Sequence, residues 1–252
     1  MHRAKPLPTR LHSEPLIDAI FEMHFTGASA AQILPGYLFS RLEGDKHIEP
    51  LAIGSIPAEV RRQDQGLADQ PTLRMLWDRY ILIFGDSIFG VACRLPYPGW
   101  QAFRSNIMSL AAHVIESGVV TQVSRFNLRY LDLIDGEQPA ELNENLDMEL
   151  ALGGTSLKDN PFQFQSIIEL GGFVHRVALT SPAEMIVGEA RAHRRGLLIS
   201  VDTPIEQPCE AVAFVGMLDS QLDQVHTANK KTFFACLTEA AVQAMGPKYD
   251  QQ

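Results

Sequence analysis

Apolar and polar positions alternate most cleanly at residues 17–25, where Ile17, Ala19, Phe21, Met23 and Phe25 share one face and Asp18, Glu22 and His24 take the other. A period of two predicts a half-buried strand. After Ser29, the segment AAQILPGYLFSRL has helical character, and Pro35 with Gly36 predicts a short helix that breaks or kinks there, with Gly44 as its stop. From Ala52 the pattern reads as β: LAIGSIPAEVRRQ, then TLRMLWDRYILIFG and IFGVACRL, the last two joined through Gly85-Asp86-Ser87 into an antiparallel hairpin. The polar stretch 61–70 reads as a loop between strands.

Beyond Pro98 and Gly99, the residues Trp100, Phe103, Ile107, Leu110, Ala111 and Val114 recur at spacings of three and four, one apolar helical stripe that Gly118 closes. Residues 123–133 return to a period of two, with Phe126, Leu128 and Tyr130 on one face and Arg125, Asn127 and Arg129 on the other. An acidic helix is predicted over 139–152, opening on Pro139. FQFQSIIEL and FVHRVALTS flank Gly171-Gly172 as a second hairpin, followed by a short AEMIVGEA run and RRGLLISVDTPI. Leu218, Leu222, Val225, Phe233, Leu237, Ala241 and Met245 then predict one long helix over 210–245.

This order does not alternate strand and helix as a parallel sheet requires. It predicts an α+β fold, a twisted antiparallel sheet with amphipathic helices packed on one side. Residues 1–135 and 136–252 are expected as N-terminal and C-terminal α+β halves packed as one unit, the second ending in the long helix. Each half finishes its hairpins before a long helix, so two similar halves from a diverged duplication are an option, although no residue-level repeat accompanies it.

Composition narrows the function classes. The chain has 252 residues, 46% of them hydrophobic, enough for a large core. Its 30 acidic and 21 basic residues give a net charge of −9, which disfavours general affinity for duplex nucleic acid. Three scattered cysteines, the lack of a signal-type apolar core and the lack of a long apolar run predict a reduced, cytoplasmic protein without a membrane span.

The stretch PGWQAFRSNI…VSRFNLRYLDLID, with its Arg-x-x-Leu-Arg-Tyr core at residues 125–130, resembles a sporadically distributed family of uncharacterised bacterial proteins of about 250 residues, a family of unknown function. PLIDAIFEMHF, GLLISVD and HTANKKTFFACLTEAA fit the same pattern, so the resemblance spans nearly the whole chain. It implies a bacterial origin and a single-unit architecture. It carries over no catalytic residue.

Arg125 and Arg129, with Asp132 nearby, are the sharpest polar feature. A planar guanidinium recognises phosphate or carboxylate bidentately, so Arg125 and Arg129, with Glu22, His24 and Tyr130, are the candidate ligand-binding residues, Glu22 and His24 being able to move protons. The competing reading is a structural ion-pair ladder with Glu22 or Asp18 across the sheet. Arg191, Arg194 and Arg195, together with His193, form the one dense basic run and a candidate partner contact, with an ordinary exposed turn as the alternative. Trp100 is a second partner-binding candidate; the competing role is to staple its helix to the sheet. The spacing of His24, His47, His113, His175, His193 and His226 matches no metal motif, and GxSxG, Walker and GxGxxG signatures are absent. No metal or cofactor is therefore expected. Neither Gly153-Gly154 nor the acidic set Glu141, Glu144, Asp147 and Glu149 singles out a catalytic group.

The expectation is a non-enzymatic protein-interaction or regulatory module, the partner of a neighbouring gene product in a stress, toxin–antitoxin or defence setting. A homodimer through an exposed sheet edge or the last helix is a further option. The alternative is an enzyme or binder acting on a phosphorylated or nucleotide ligand through the arginine-lined face.

Overall fold

The computed structural model describes residues 7–27, 30–188 and 191–249, so Ser29 and the end of the AEMIVGEA run lie outside the described residues. The first half of the chain contains β1 (Arg10–Leu11), β2 (Leu16–Gly27), α1 (Ala30–Arg41), β3 (Lys46–Pro50), a 3-10 turn (Ala52–Ser55), α2 (Ala58–Gln63), α3 (Gln65–Ala68), β4 (Pro71–Trp77), β5 (Tyr80–Gly85), β6 (Ile88–Cys93) and α4 (Trp100–Glu116). The second contains β7 (Val120–Asp135), α5 (Pro139–Asn143), β8 (Ala151–Leu152), β9 (Thr155–Ser156), β10 (Phe162–Leu170), β11 (Phe173–Val187), β12 (Ala192–Ile205), β13 (Cys209–Glu210), α6 (Ala211–Ala235), α7 (Glu239–Ala244) and β14 (Pro247–Lys248). Ten strands form one antiparallel sheet in the order β10-β11-β12-β7-β2-β6-β5-β4-β3, with β13 beside β7; β1 with β14 and β8 with β9 make two small ladders. The chain is thus α+β, with an open sheet that has two edges.

By contacts the chain divides into two compact units. One holds residues 1–17, 129–203 and 226–252, the other 18–128 and 204–225. This grouping interleaves the chain, whereas the sequence reading cuts it once after residue 135. The 16-residue β7 and the 25-residue α6 are long enough for each to contribute to both.

In the unit built on residues 18–128, β2 is followed by α1, the meander β4-β5-β6 returns to lie against β2 in the register Phe21↔Val91, and α4 follows. The stripe on α4 is buried at Phe103, Ile107, Leu110, Ala111 and Val114. Phe103 stacks on Tyr80 of β5 at 6.4 Å, while Phe126 packs against Phe21 and Phe214, each at 6.1 Å. Each such aromatic contributes about 1.5–3 kcal/mol of burial.

In the unit built on residues 129–203, β7 is followed by α5, the meander β10-β11-β12 returns to β7, and α6 follows. The same succession therefore occurs twice. Its core joins Val177 and Leu179 of β11, Leu197, Ile199 and Val201 of β12, and Phe233, Leu237, Ala241 and Met245 of the final helices. Gly196 is tied to the close approach of β7, because a Cβ there would lie 2.1 Å from the Ile134 carbonyl oxygen.

Several local expectations are corrected. LAIGSIPAEVRRQ and residues 61–70 are not a strand and a loop but a 3-10 turn and two short helices, the second capped by Asp64, whose carboxylate accepts from Gly66 N at 2.8 Å. TLRMLWDRYILIFG is itself a hairpin, turning at Asp78-Arg79 with Trp77 opposite Tyr80. α1 runs through Pro35, since Leu34 and Leu38 are fully buried and packing offsets the lost backbone bond. The acidic helix stops at Asn143, where the Asn145 amide donates to the Glu141 and Leu142 carbonyls. The final helix is two: α6 ends at Ala235, and Thr238 caps α7 by accepting from Ala241 N at 3.3 Å.

Candidate functional site

Within the unit built on residues 18–128, the neighbouring strands β2 and β7 bring Glu22 and His24 opposite Arg125 and Asn127. Arg125 Nη2 lies 3.4 and 3.5 Å from the two ring nitrogens of His24 and 3.5 Å from Asp69 Oδ2. Asp69 follows α3 and also accepts from Ser87 Oγ at 2.8 Å; Asn127 Nδ2 donates to Glu22 at 3.2 Å. Burial above all, and then the Arg125 cation, hold the His24 pKa below its ordinary value, with Asp69, Glu22 and Glu206 pulling the other way. Burial and Arg125 thus favour the neutral form of the ring, whose Nδ1 lies 3.8 Å from Asp69 Oδ2.

The other two ligand-face candidates, Arg129 and Tyr130, belong to the unit built on residues 129–203. The Tyr130 hydroxyl lies 3.0 Å from His226 Nδ1, on the helical side of the strand. His175 is fully buried: its ring nitrogens lie 2.9 Å from Thr203 Oγ1 and 3.3 Å from the Leu170 carbonyl, and Asn229 donates to the same Thr203 oxygen at 2.9 Å. That is a hydrogen-bonded core histidine.

Of the basic run, His193, Arg194 and Arg195 sit on a strand rather than in a loop. Arg194, on β12, makes a bidentate pair with Asp135 at 2.8 and 2.9 Å, and Arg195 reaches Glu184 at 2.6 Å and Glu137 at 3.5 Å. Arg191 is exposed in the turn before β12, at a positive φ of 49°. Trp100 opens α4, donating from Nε1 to Asp223 at 2.7 Å and meeting Phe103 edge-on.

An open cleft of about 680 Å³ is lined by Lys46, His47, Trp77, Asp78 and Arg94 among others; no sequence-predicted site residue lines it. Its charges are mixed in sign. Among the described residues, no group of three or more His, Cys, Asp or Glu side chains is placed to hold a metal ion, and no helix is long and apolar enough to cross a membrane.

The sequence reading named an exposed sheet edge as a homodimer option without saying which strand forms it; β10 is such an edge. β10 ends the strand order, and its ladder to β11 runs from Phe162↔Ser181 to Leu170↔Phe173 across the Gly171-Gly172 turn, whose φ values are 63° and 82°. Such a two-residue turn makes the flanking pair hydrogen-bonded, so the even-numbered residues 162–170 bond inward and the backbone groups of Gln163, Gln165, Ile167 and Glu169 point away from β11, to an edge on which no further strand pairs among the described residues. Phe162, Phe164 and Ile168 pack against the core, while Ile167 is 70% exposed on the other face. Nine residues hold one charge, Glu169, and neither Lys nor Pro. The opposite edge, β3, is five residues long and carries Lys46, Glu49 and Pro50, features that blunt an edge. The signal was present in FQFQSIIEL, but that the strand ends the sheet was not.

No protein-family model matches the chain, and no curated protein matches it.

Proposed function

We propose that this chain is a non-enzymatic protein-interaction module that captures an extended segment by strand addition along β10. One observation carries the reading: a nine-residue edge strand with outward backbone donors and acceptors, a single charge and Ile167 70% exposed. Strand addition satisfies the backbone row, and alternate side chains give specificity. The alternative, a phosphorylated ligand on the arginine face, has less support, because Arg125 already lies 3.5 Å from the carboxylate of Asp69. The resemblance to a sporadic bacterial family directs the search for partners to neighbouring gene products in a stress, toxin–antitoxin or defence setting.

The test is co-purification of the tagged chain with those products, comparing wild type with Gln165→Pro. Proline is tolerated on an edge where its missing N–H faced solvent, so the fold survives while augmentation is blocked. Capture lost in the variant supports the reading. Undiminished capture by a folded variant, or turnover of a substrate by the chain alone, overturns it.

A further inference from the structure

The segment that fits this edge is the edge itself. We infer that β10 pairs antiparallel with β10 of a second copy about a two-fold axis at Ser166, continuing the sheet across a homodimer. The inference rests on the strand-addition reading above and names a second copy, in place of a neighbouring gene product, as the occupant of the edge.

Ser166 is the midpoint of the nine residues Phe162–Leu170, so this register alone pairs the whole strand. It sets Gln165 opposite Ile167 of the second copy and Gln163 opposite Glu169. These are the residues whose backbone groups face outward, so donors meet acceptors along the length of the edge. On the inner face, Phe162 meets Leu170 and Phe164 meets Ile168; Phe162, Phe164 and Ile168 extend the core layer and are only half-covered in one copy, while Leu170 is 41% exposed. The strand's one charge, Glu169, meets the neutral Gln163, so no like charges oppose each other. Such a contact is isologous and closes on itself. The charged, proline-bearing β3 offers no comparable match; pairing β10 with β3 would also propagate without closing.

The register makes a sharp test. At the axis Ser166 faces its own copy as a non-hydrogen-bonded pair, with Cα atoms about 4.5 Å apart, inside the range of about 4.4–6.8 Å that a disulfide spans. Ser166→Cys is expected to form a covalent dimer under mild oxidation, in excess of the parent chain with its own three cysteines. Glu169→Cys, opposite Gln163, is expected to stay at the parent level. Light scattering on the full chain is expected to report twice the 27.9 kDa monomer mass, and Ile167→Lys, checked by circular dichroism for an intact fold, to return it to monomer. A monomeric wild type at 100 μM protein, with Ser166→Cys cross-linking no more than the parent, overturns self-pairing. Cross-linking of Glu169→Cys as strong as that of Ser166→Cys overturns the register. If self-pairing fails while Gln165→Pro still abolishes capture of a neighbouring gene product, the strand-addition reading stands with a different occupant; if neither effect appears, both fall.

Discussion

Replacing Asp132 by asparagine removes a carboxyl group that folding carries out of water. The side chain is 6% exposed on β7, and burial, with the Glu14 carboxylate adding to it, pushes its pKa from 3.8 up to about 8. One pKa unit is about 1.4 kcal/mol, so a shift of about four units corresponds to roughly 5–6 kcal/mol between the protonated and ionised native states. The direction follows from linkage. The native state holds the proton more tightly than the unfolded chain, so this group costs nothing below about pH 4, and stability falls as pH rises from about 4 to about 8 and then levels off. Between pH 5 and 9 the loss attributable to Asp132 is about 4 kcal/mol. The substituted amide does not ionise, and the pH-independent cost of burying it shifts the whole curve without tilting it. Urea unfolding followed by circular dichroism at pH 5, 6, 7, 8 and 9, in wild type and Asp132→Asn, therefore reads the effect as a divergence of two profiles. Titrations of groups not coupled to Asp132 cancel in the difference. Parallel profiles would refute the burial argument.

Three further substitutions and one chemical probe check the packing. Phe126→Ala empties the site between Phe21 and Phe214 and is expected to cost about 3–5 kcal/mol; a loss below about 1 kcal/mol in urea would contradict that contact. Gly196→Ala drives a methyl into the Ile134 carbonyl and is expected to destabilise by at least about 2 kcal/mol, read as a lowered thermal midpoint. Thr238→Ala removes the cap of α7 for about 1 kcal/mol, and an unchanged midpoint would count against the break between the two final helices. Burial pushes the Cys236 thiol up to about 11 and raises Cys93 further, so at pH 8 both are expected to react slowly with a thiol reagent in the native state and fast in urea; equal rates would show the burial to be wrong.

The candidate site was legible only in pieces. The alternation at residues 123–133 placed Arg125 and Asn127 on one face, and they do meet His24 and Glu22. Asp69 and Ser87 joined them without warning, because they come from the turn after α3 and the turn before β6, segments whose placement depends on packing. The carboxylates that neutralise Arg194 and Arg195, namely Asp135, Glu137 and Glu184, likewise lie at sequence distances where no local pattern links them.

Local physics decided what local patterns predicted. The α4 stripe, the β2 and β7 alternations and the Gly171-Gly172 hairpin follow from side-chain period and from φ values that glycine adopts without cost. Where a tertiary contact competes, the pattern was overruled. Buried Leu34 and Leu38 carry α1 through Pro35, and the Asn145 and Thr238 side chains end one helix and restart another. Period alone says that FQFQSIIEL is a strand. That it is an edge, with Ile167 exposed and its outer backbone row open, is decided by the order in which ten strands assemble, a matter of long-range pairing that no window of sequence contains.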